Sequence, residues 1–544
     1  MVNGVTNAAG EVAGFIDIGT NSLRLLLVRL NPNGSFTVLT DQKEMIRLGE
    51  GEFEDQRLQP EAMQRAVLVC RKFAELARAN GAGEITAVAT AATREAHNQR
   101  EFLQLLHWNS GLDVRVVSGR EEARLIYLGV SSGLNLGDKL AVFIDIGGGS
   151  TEVSIGRQRE YLFLDSLKLG ALRLTHLFLA GHEGPVTAAQ YGQLQKHVRN
   201  AALRSIQKLH QYDINLAVGS SGTIQNLAEI AAHLGDKKRQ QRAEVLSYAN
   251  LRQVVELLCS LPVAERRGVP GINPDRADII VGGAAILDTL MQEAALSEIR
   301  VSSRGLRDGL LMDYLARSEH ASLLAEASVR ERSVLQLGRN CGFDEAHART
   351  VSRLALELFD SAYGLGLHTL GAWERELLHY AALLHDAGTF LSYTNHHAHS
   401  YYLIGHADLL GFDQQEIAIM AATALYHRKA LPRKSHPAFD ALDKPARQAV
   451  RVLSLLVRLA EALDRSHNGT VTRATFVRQN DGQIILRSWA GQDFQLELWA
   501  AESHSEAFAK TFGLGLLVEG RVEAEPAAMC ARPALLGKDP AVTP

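Results

Sequence analysis

From residue 12 the chain alternates short apolar, β-branched runs with Gly, Asn and Pro breaks. GFIDIG, SLRLLLVRL and FTVLTDQKEMIRLG each read as a strand. PEAMQRAVLVCRKFAELARANG then takes up a helical period, with Pro60 suited to the first turn and Gly81 stopping it. EITAVATAATRE predicts a strand ending in small residues, and DVRVVSG a further strand. Near residue 138 the pattern restarts. LAVFIDIGGGSTEVSIG reads as two strands around a glycine turn, EYLFLDSLKLG as a third, and 187–210 as a long helix. INLAVGSSGTIQNLAEI follows as strand, glycine loop and helix. FIDIG thus occurs twice, at 15–19 and 143–147, each time with an acid at the strand's end, Asp17 or Asp145. Two strand-rich units opened by one pentapeptide predict a duplicated α/β domain with a cleft between its halves.

From about residue 325 the texture is helical. EAHARTVSRLALELFDSAYGLG puts Val351, Leu354, Ala355 and Leu358 on one face. Similar patterns run through WERELLHYAALLHDAGTFL, HSYYLIGHADLLG, QQEIAIMAATALYHRKA and PARQAVRVLSLLVRLAEALDRSH. ATFVRQNDGQIILRSW, DFQLELW and a helix near 504–512 predict a small α+β cap, and the Ala- and Pro-rich end a loose tail.

A length of 544 residues exceeds what one core can hold, and three or four domains are expected. The charged fraction of 22% and hydrophobic fraction of 46% exclude a disordered chain. A formal charge of −4 gives no general attraction to nucleic acid, and none is expected as a partner. Cys70, Cys259, Cys341 and Cys530 share no close spacing, which excludes a CxxC metal site and suggests a reducing compartment. MVNGVTNAAGEVAG lacks the regions of a signal peptide, and no apolar run approaches the ~18 residues that span a bilayer. A cytoplasmic protein without a membrane partner is expected.

The glycine turns carry the candidate chemistry. A strand that ends in Asp and turns at Gly exposes successive backbone N–H groups, which cradle phosphate oxygens, while the Asp can hold Mg²⁺. In the first turn Gly19 is followed by the donors Thr20, Asn21 and Ser22. In the second, Gly147, Gly148 and Gly149 are followed by Ser150, Thr151 and a second acid, Glu152. A third loop, VGSSGT, offers Gly219, Ser220, Ser221 and Gly222 ahead of a helix. None is a P-loop, because a strand follows each hairpin turn and GK[ST] is missing. Phosphate is the expected ligand.

These hairpins resemble the phosphate motifs of the actin/Hsp70/sugar-kinase superfamily. More narrowly, DIGTNSLRLLL, TAATRE, SGREEARLIYLGV, DIGGGSTE, VGSSGT, PDRADIIVGGAAIL and SSRGLRDGLL are similar, in order over residues 12–318, to the exopolyphosphatase/guanosine pentaphosphate phosphohydrolase (Ppx/GppA) family. The resemblance implies two actin-like (RNase H-like) α/β lobes. These would be 12–135 and 136–318, the last helix of the second returning to the first. An all-α domain of HD type over 325–470, the cap over 471–522 and the tail over 523–544 complete the layout. It further implies hydrolysis of the terminal phosphate of a polyanion with Mg²⁺ and a glutamate base. That glutamate falls in GREEAR: Glu122 matches the family position, with Glu121 as reserve. Arg94 in TAATRE matches the family's phosphate-side arginine. Asp145, with Glu152 or Asp17, is expected to manage Mg²⁺. Arg276 with Asp278, or Arg304 with Arg307, either serves the cleft or braces the helix that closes it.

Six of the twenty histidines fall between 379 and 406. His347, the pair His385–Asp386 and Asp464 form an H…HD…D pattern that resembles the HD phosphohydrolases, whose helices bring such residues together on a metal. The donor set suits Mn²⁺, Fe²⁺ or another divalent ion. His399, His406 and His427 are candidates for extending the site. Basic runs at 237–242 and 427–434 are candidates for attracting a polyphosphate chain. The expected activity is release of orthophosphate from inorganic polyphosphate by a homodimer, with guanosine pentaphosphate (pppGpp) as the alternative substrate. A non-hydrolytic nucleotide sensor is the alternative from another class.

Overall fold

Both FIDIG segments become an interior strand of a sheet, and the second sheet repeats the order of the first with one further strand at an edge. In the first, β1 (Val12–Ile18), β2 (Ser22–Leu30), β3 (Phe36–Met45), β4 (Ala82–Ala89) and β5 (Val114–Val116) run in the order β3-β2-β1-β4-β5. The second comprises β6 (Ala141–Ile146), β7 (Thr151–Gly156), β8 (Tyr161–Leu167), β9 (Leu216–Ser220), β10 (Val245–Ser247) and β11 (Glu298–Val301). Its order is β10-β11-β9-β6-β7-β8. β1 pairs antiparallel with β2 and parallel with β4, and β6 repeats this with β7 and β9. The structure, a computed structural model, describes residues 10–32, 35–158, 160–234, 244–317, 328–407, 409–479 and 482–522. It divides into two compact units, Met1–Gln336 and Leu337–Pro544.

FIDIG is apolar on both faces because both faces are buried. Phe15 and Phe143 point into one shared layer with Leu125, Tyr127, Leu310 and Leu311 of the helices Gly119–Ser131 and Leu306–Arg317. Ile16 points the other way, onto Phe73 and Phe102 of the helices Pro60–Ala79 and Gln99–Ser110. Ile144 does likewise in the second sheet, onto a core that includes Leu194, Ile224 and Ile286. The two helices of the shared layer cross closely. A Cβ on Gly309 would meet the Leu125 carbonyl oxygen at 1.8 Å, and one on Gly129 the Gly305 carbonyl oxygen at 2.1 Å.

Two segments depart from the expected elements. AATRE does not extend a strand but forms the short helix Ala91–Glu95. VGSSGT contains no loop: β9 ends at Ser220 and the helix Ser221–Leu234 starts at once, with Ser221 absorbing the turn at φ 73°.

The second unit is built on the helices Glu345–Gly364, Ala372–Leu384, His396–His406, Gln414–Tyr426 and Lys444–Ala462. The expected face of the first is fully buried, with Val351, Leu354, Ala355 and Leu358 each 0% exposed. A sheet of β12 (Val471–Arg478), β13 (Ile484–Ala490) and β14 (Leu516–Val522) follows, β13 pairing antiparallel with β12 and parallel with β14. The open edge of β12 is covered: its Ala474 and Phe476 N–H groups donate to Glu357 and Ser361 of the helix Glu345–Gly364. The expected tail at 523–544 and the basic run at 237–242 lie outside the described residues.

Candidate active site

The two hairpin turns close with the same bond. The Gly19 N–H donates to the Ser22 carbonyl at 3.2 Å, and the Gly147 N–H to the Ser150 carbonyl at 2.9 Å. The second turn is held from behind by the first turn of the helix Ala171–Leu179. Ala171 N–H donates to the Gly147 carbonyl, and Leu172 and Arg173 N–H donate to that of Gly148. Gly170 makes room for this, since a Cβ there would meet the Gly148 carbonyl oxygen at 2.2 Å.

Both turns line one cleft: Gly19, Thr20, Asn21 and Ser22 from the first, Gly147, Gly148, Gly149 and Ser150 from the second. Ser221 and Gly222 join them at the start of a helix, where unsatisfied N–H groups favour an anion. Four carboxyl groups complete the lining, Asp17, Glu122, Asp145 and Glu152. The strand registers set three of them and a cation. Asp17 pairs across the first hairpin with Arg24, whereas its counterpart Asp145 pairs across the second with Glu152.

Burial dominates the electrostatics. It pushes the Asp17 carboxyl up to about 6 against the opposing pull of Arg24 and Arg307. It pushes Glu122 up to about 7, with Arg94 pulling the other way and Asp17 and Asp145 adding to the rise. Glu152 is raised by burial and then by Glu122 and Asp145. Asp145 is also raised by burial, although Ser220 Oγ donates to its Oδ2 at 2.5 Å and opposes the shift. Such a group of mutually raising carboxyls fits a divalent cation, and Asp17 Oδ1 is buried there without a hydrogen-bond partner.

Facing the acids are two cations, Arg24 and Arg276, whose side chains form no ion pair or hydrogen bond among the described residues. Arg276 is 7% exposed, and its guanidinium lies against the Gly222 backbone. Burial and Arg24 together push it down to about 10. Lys43 is pushed down to about 8 by burial and by Arg276, Arg24 and Arg307. Buried cations without partners are costly and are matched by an anion when one is bound.

The comparisons agree on what this architecture is. The family model described as Ppx/GppA phosphatase family matches residues 27–318, and that of Ppx/GppA phosphatase, domain III, residues 329–502. The chain belongs to the Ppx/GppA phosphatase family. An exopolyphosphatase structure from Cytophaga hutchinsonii is similar at 26% identity and a TM-score of 0.53, covering 57% of this chain and 99% of its own. An exopolyphosphatase-like protein matches at 28% identity and a TM-score of 0.51, over 56% of this chain and 97% of its own. A Ppx/GppA enzyme from Aquifex aeolicus matches at 26% identity over 56% of this chain and 99% of its own, with a TM-score of 0.47. The fold is therefore that of two actin-like α/β lobes followed by a helical domain, and the protein is a phosphoric anhydride hydrolase.

Within this Ppx/GppA phosphatase several expected site residues stand behind the cleft and do not line it. Glu121 turns away: Arg124 takes both its oxygens at 2.8 Å. Arg94 does not reach the lining either, because its Nη1 donates to Glu122 Oε2 at 2.8 Å and to the Val117 carbonyl at 3.0 Å. Thr151 is fully buried and donates to the Leu169 carbonyl. Gly219 lies within β9, and Ser220 braces Asp145. Arg304 lines the cleft but is tied to the Gly129 carbonyl, while Arg307 pairs with Asp41 and Asp278 with Arg47. Arg24 and Gln225 were not anticipated. The signal for Arg24 was a charge two residues after the first turn in a strand that is otherwise apolar but for Arg29.

In the helical unit, His347, His385 and Asp386 come together, and so do Asp386, His396 and His427. His396 was not anticipated. Asp464 is not a member: its Oδ2 lies 2.8 Å from His347 Nδ1 and its Oδ1 accepts the Gly469 N–H. His406 is exposed and His399 half-buried, both outside the cluster. Of the basic run at 427–434, Arg428 stacks over Tyr393 and Lys429 reaches Asn395. Among the described residues no helix is long and apolar enough to cross a membrane.

Proposed function

We propose that the protein is an exopolyphosphatase that releases orthophosphate from the end of inorganic polyphosphate, with Glu122 as general base. The observation that carries this reading is the placement of Glu122: 6% exposed, pushed up to about 7, and in one cleft with both phosphate hairpins. A base with a pKa near the working pH is the effective one. The same feature speaks against a non-hydrolytic sensor, which has no use for a poised base.

The backbone N–H groups that the turn-closing bonds leave free around Gly19 and at Gly148 and Gly149 cradle the terminal phosphates, and Arg24 and Arg276 take the negative charge that the hairpins leave uncovered. Magnesium, for which Asp145, Glu152 and Asp17 are the fitting ligands, supplies further neutralisation of the phosphate oxygens when bound. Glu122 accepts a proton from water as the water oxygen bonds to the terminal phosphorus. The bridging P–O bond breaks, and the shortened chain leaves with the electron pair. Arg94 holds the Glu122 carboxylate in place from behind. Positioning and charge are all that this reaction asks of a protein.

Polyphosphate is favoured over pppGpp by the lining itself. Among the described residues no aromatic side chain lines the cleft, so nothing there stacks a purine. Two of the similar structures are named as an exopolyphosphatase and an exopolyphosphatase-like protein. Parallel phosphate-release assays on long-chain polyphosphate, pppGpp and ATP test the reading. It predicts the highest kcat/KM on polyphosphate; preference for pppGpp replaces the substrate, and no release from any of them replaces the reaction.

A further inference from the structure

The short helix Ala91–Glu95 touches three parts of the candidate active site. The Ala92 N–H donates to Thr20 Oγ1 of the first turn at 3.3 Å. Arg94 donates to Glu122, and the next residue, Glu95, accepts from Arg173 Nη2 at 3.0 Å. The other Glu95 oxygen lies 3.0 Å from Lys168 Nζ. Arg173 belongs to the second lobe, and its side chain and that of Glu95 are only 11% and 13% exposed. Its guanidinium also stands 4.5 Å over the ring of Phe53 from the first lobe, and its Nε donates to the Gly149 carbonyl at 2.7 Å. One arginine is thus gripped twice by the first lobe and itself grips the second phosphate turn.

Peptide geometry says what that grip does. In a trans peptide the carbonyl of one residue and the N–H of the next point in opposite directions. The Gly147 carbonyl is taken by the Ala171 N–H, and the Gly148 carbonyl by those of Leu172 and Arg173. The Gly149 carbonyl is taken by the Arg173 side chain. Three consecutive carbonyls are drawn to one helix, so the N–H groups of Gly148, Gly149 and Ser150 point away from it. On that side is the cleft, which these three residues line and no described residue of the helix Ala171–Leu179 does. None of the three N–H groups donates to a backbone carbonyl among the described residues. Backbone bonds alone fix the first two peptides. The third follows a glycine, whose dihedrals resist rotation least, and a side chain is what fixes it.

We infer that Arg173 is a positioning residue that turns the Gly149–Ser150 peptide so that the Ser150 N–H meets a substrate phosphate, and that Glu95 holds Arg173 for this task. Glu95 adjoins Arg94, so the helix that places the base also sets the phosphate cradle of the opposite lobe. The inference rests on the reading of the cleft as a polyphosphate site, and it adds two residues that act on the substrate without lining the cleft.

The test is equilibrium binding of long-chain polyphosphate to the full-length protein, read beside the kcat–pH profile and thermal melting. Arg173→Met removes the donor to Gly149 and should weaken binding about 10-fold, the worth of one hydrogen bond to a charged group. The acid limb set by Glu122 should stay in place, because the Arg94–Glu122 pair is untouched. Glu95→Ala should weaken binding by about 3- to 10-fold, and Glu95→Gln, which still offers Arg173 an acceptor, should bring it back to within about 3-fold of wild type. Arg47→Met breaks the other ion pair between the lobes, to Asp278, and should change binding by less than about 3-fold. Wild-type binding in Arg173→Met or Glu95→Ala overturns the inference, whatever happens to Tm. Equal weakening in Arg47→Met also overturns it, by assigning the effect to docking of the lobes, and so does a shifted acid limb in Arg173→Met. If Arg173→Met does not fold, the contrast between Glu95→Ala and Glu95→Gln decides. Wild type that binds no polyphosphate overturns the reading of the cleft, and this inference with it.

Discussion

Arg94 Nη1 stands 2.8 Å from Glu122 Oε2, an ion pair whose acid is almost wholly buried. The arginine is the main influence holding the carboxyl below the value that burial alone would impose. Glu122 acts as a base only when ionised, so activity should rise with pH through about 7. Arg94→Ala removes a downward pull, so this acid limb should move to higher pH. At neutral pH kcat should fall on the order of 10- to 100-fold, part of what a positioned base contributes. A kcat–pH profile of both proteins checks it, and an unmoved limb refutes the pairing.

In the proposed reaction Ser220 tunes the affinity of Asp145 for a divalent cation. The hydroxyl donates to Asp145 Oδ2 at 2.5 Å and favours the ionised form. Ser220→Ala should raise the Mg²⁺ concentration for half-maximal activity by roughly 10-fold, in the range found for outer-shell partners. At saturating Mg²⁺ most of kcat should return.

In the proposed reaction Arg276 meets the anionic substrate, at the expense of the free protein. Arg276→Met removes a buried guanidinium without an acid partner, so Tm should not fall. The KM for polyphosphate should rise about 10- to 100-fold, the worth of one charged hydrogen bond. A lower Tm with unchanged KM would make Arg276 a structural residue.

Glu52 gives a prediction on stability alone. It is 1% exposed, its Oε2 has no partner, and burial pushes it up to about 7 from 4.5. An acid raised in the native state makes that state bind more protons than the unfolded one, so its stabilising contribution is lost as pH climbs from about 4.5 through about 7. Glu52→Gln keeps a neutral side chain at every pH. Its Tm should exceed that of wild type by about 2 °C or more at pH 8 and show no gain at pH 5.

The hairpins were legible because the repeat fixes both the strand and its acid: Phe15 and Phe143, and Asp17 and Asp145, fall at equivalent places in two sheets of one order. The helical face of Val351, Leu354, Ala355 and Leu358 was legible because its period needs no partner to be seen. What stayed hidden depends on pairing between distant segments. Nothing in SLRLLLVRL says that Arg24 will stand across from Asp17; the hairpin register does. Nothing in the spacing of the helices says that His396 will reach Asp386 while Asp464 is drawn to the far nitrogen of His347. β14 was missed because its partner β13 lies across two intervening helices. AATRE misled because small residues suit either state, and the buried Ala91, Ala92 and Thr93 settled it as a helix.

The central claim is that Glu122 activates water at a phosphate already bound by the hairpins. Glu122→Gln keeps the size and polarity of the side chain and removes only its basicity. With long-chain polyphosphate and Mg²⁺, phosphate release by this variant measured alongside equilibrium binding of the chain is the most direct test. The account predicts binding within a few-fold of wild type and release reduced at least 100-fold. Wild-type turnover in Glu122→Gln would contradict it.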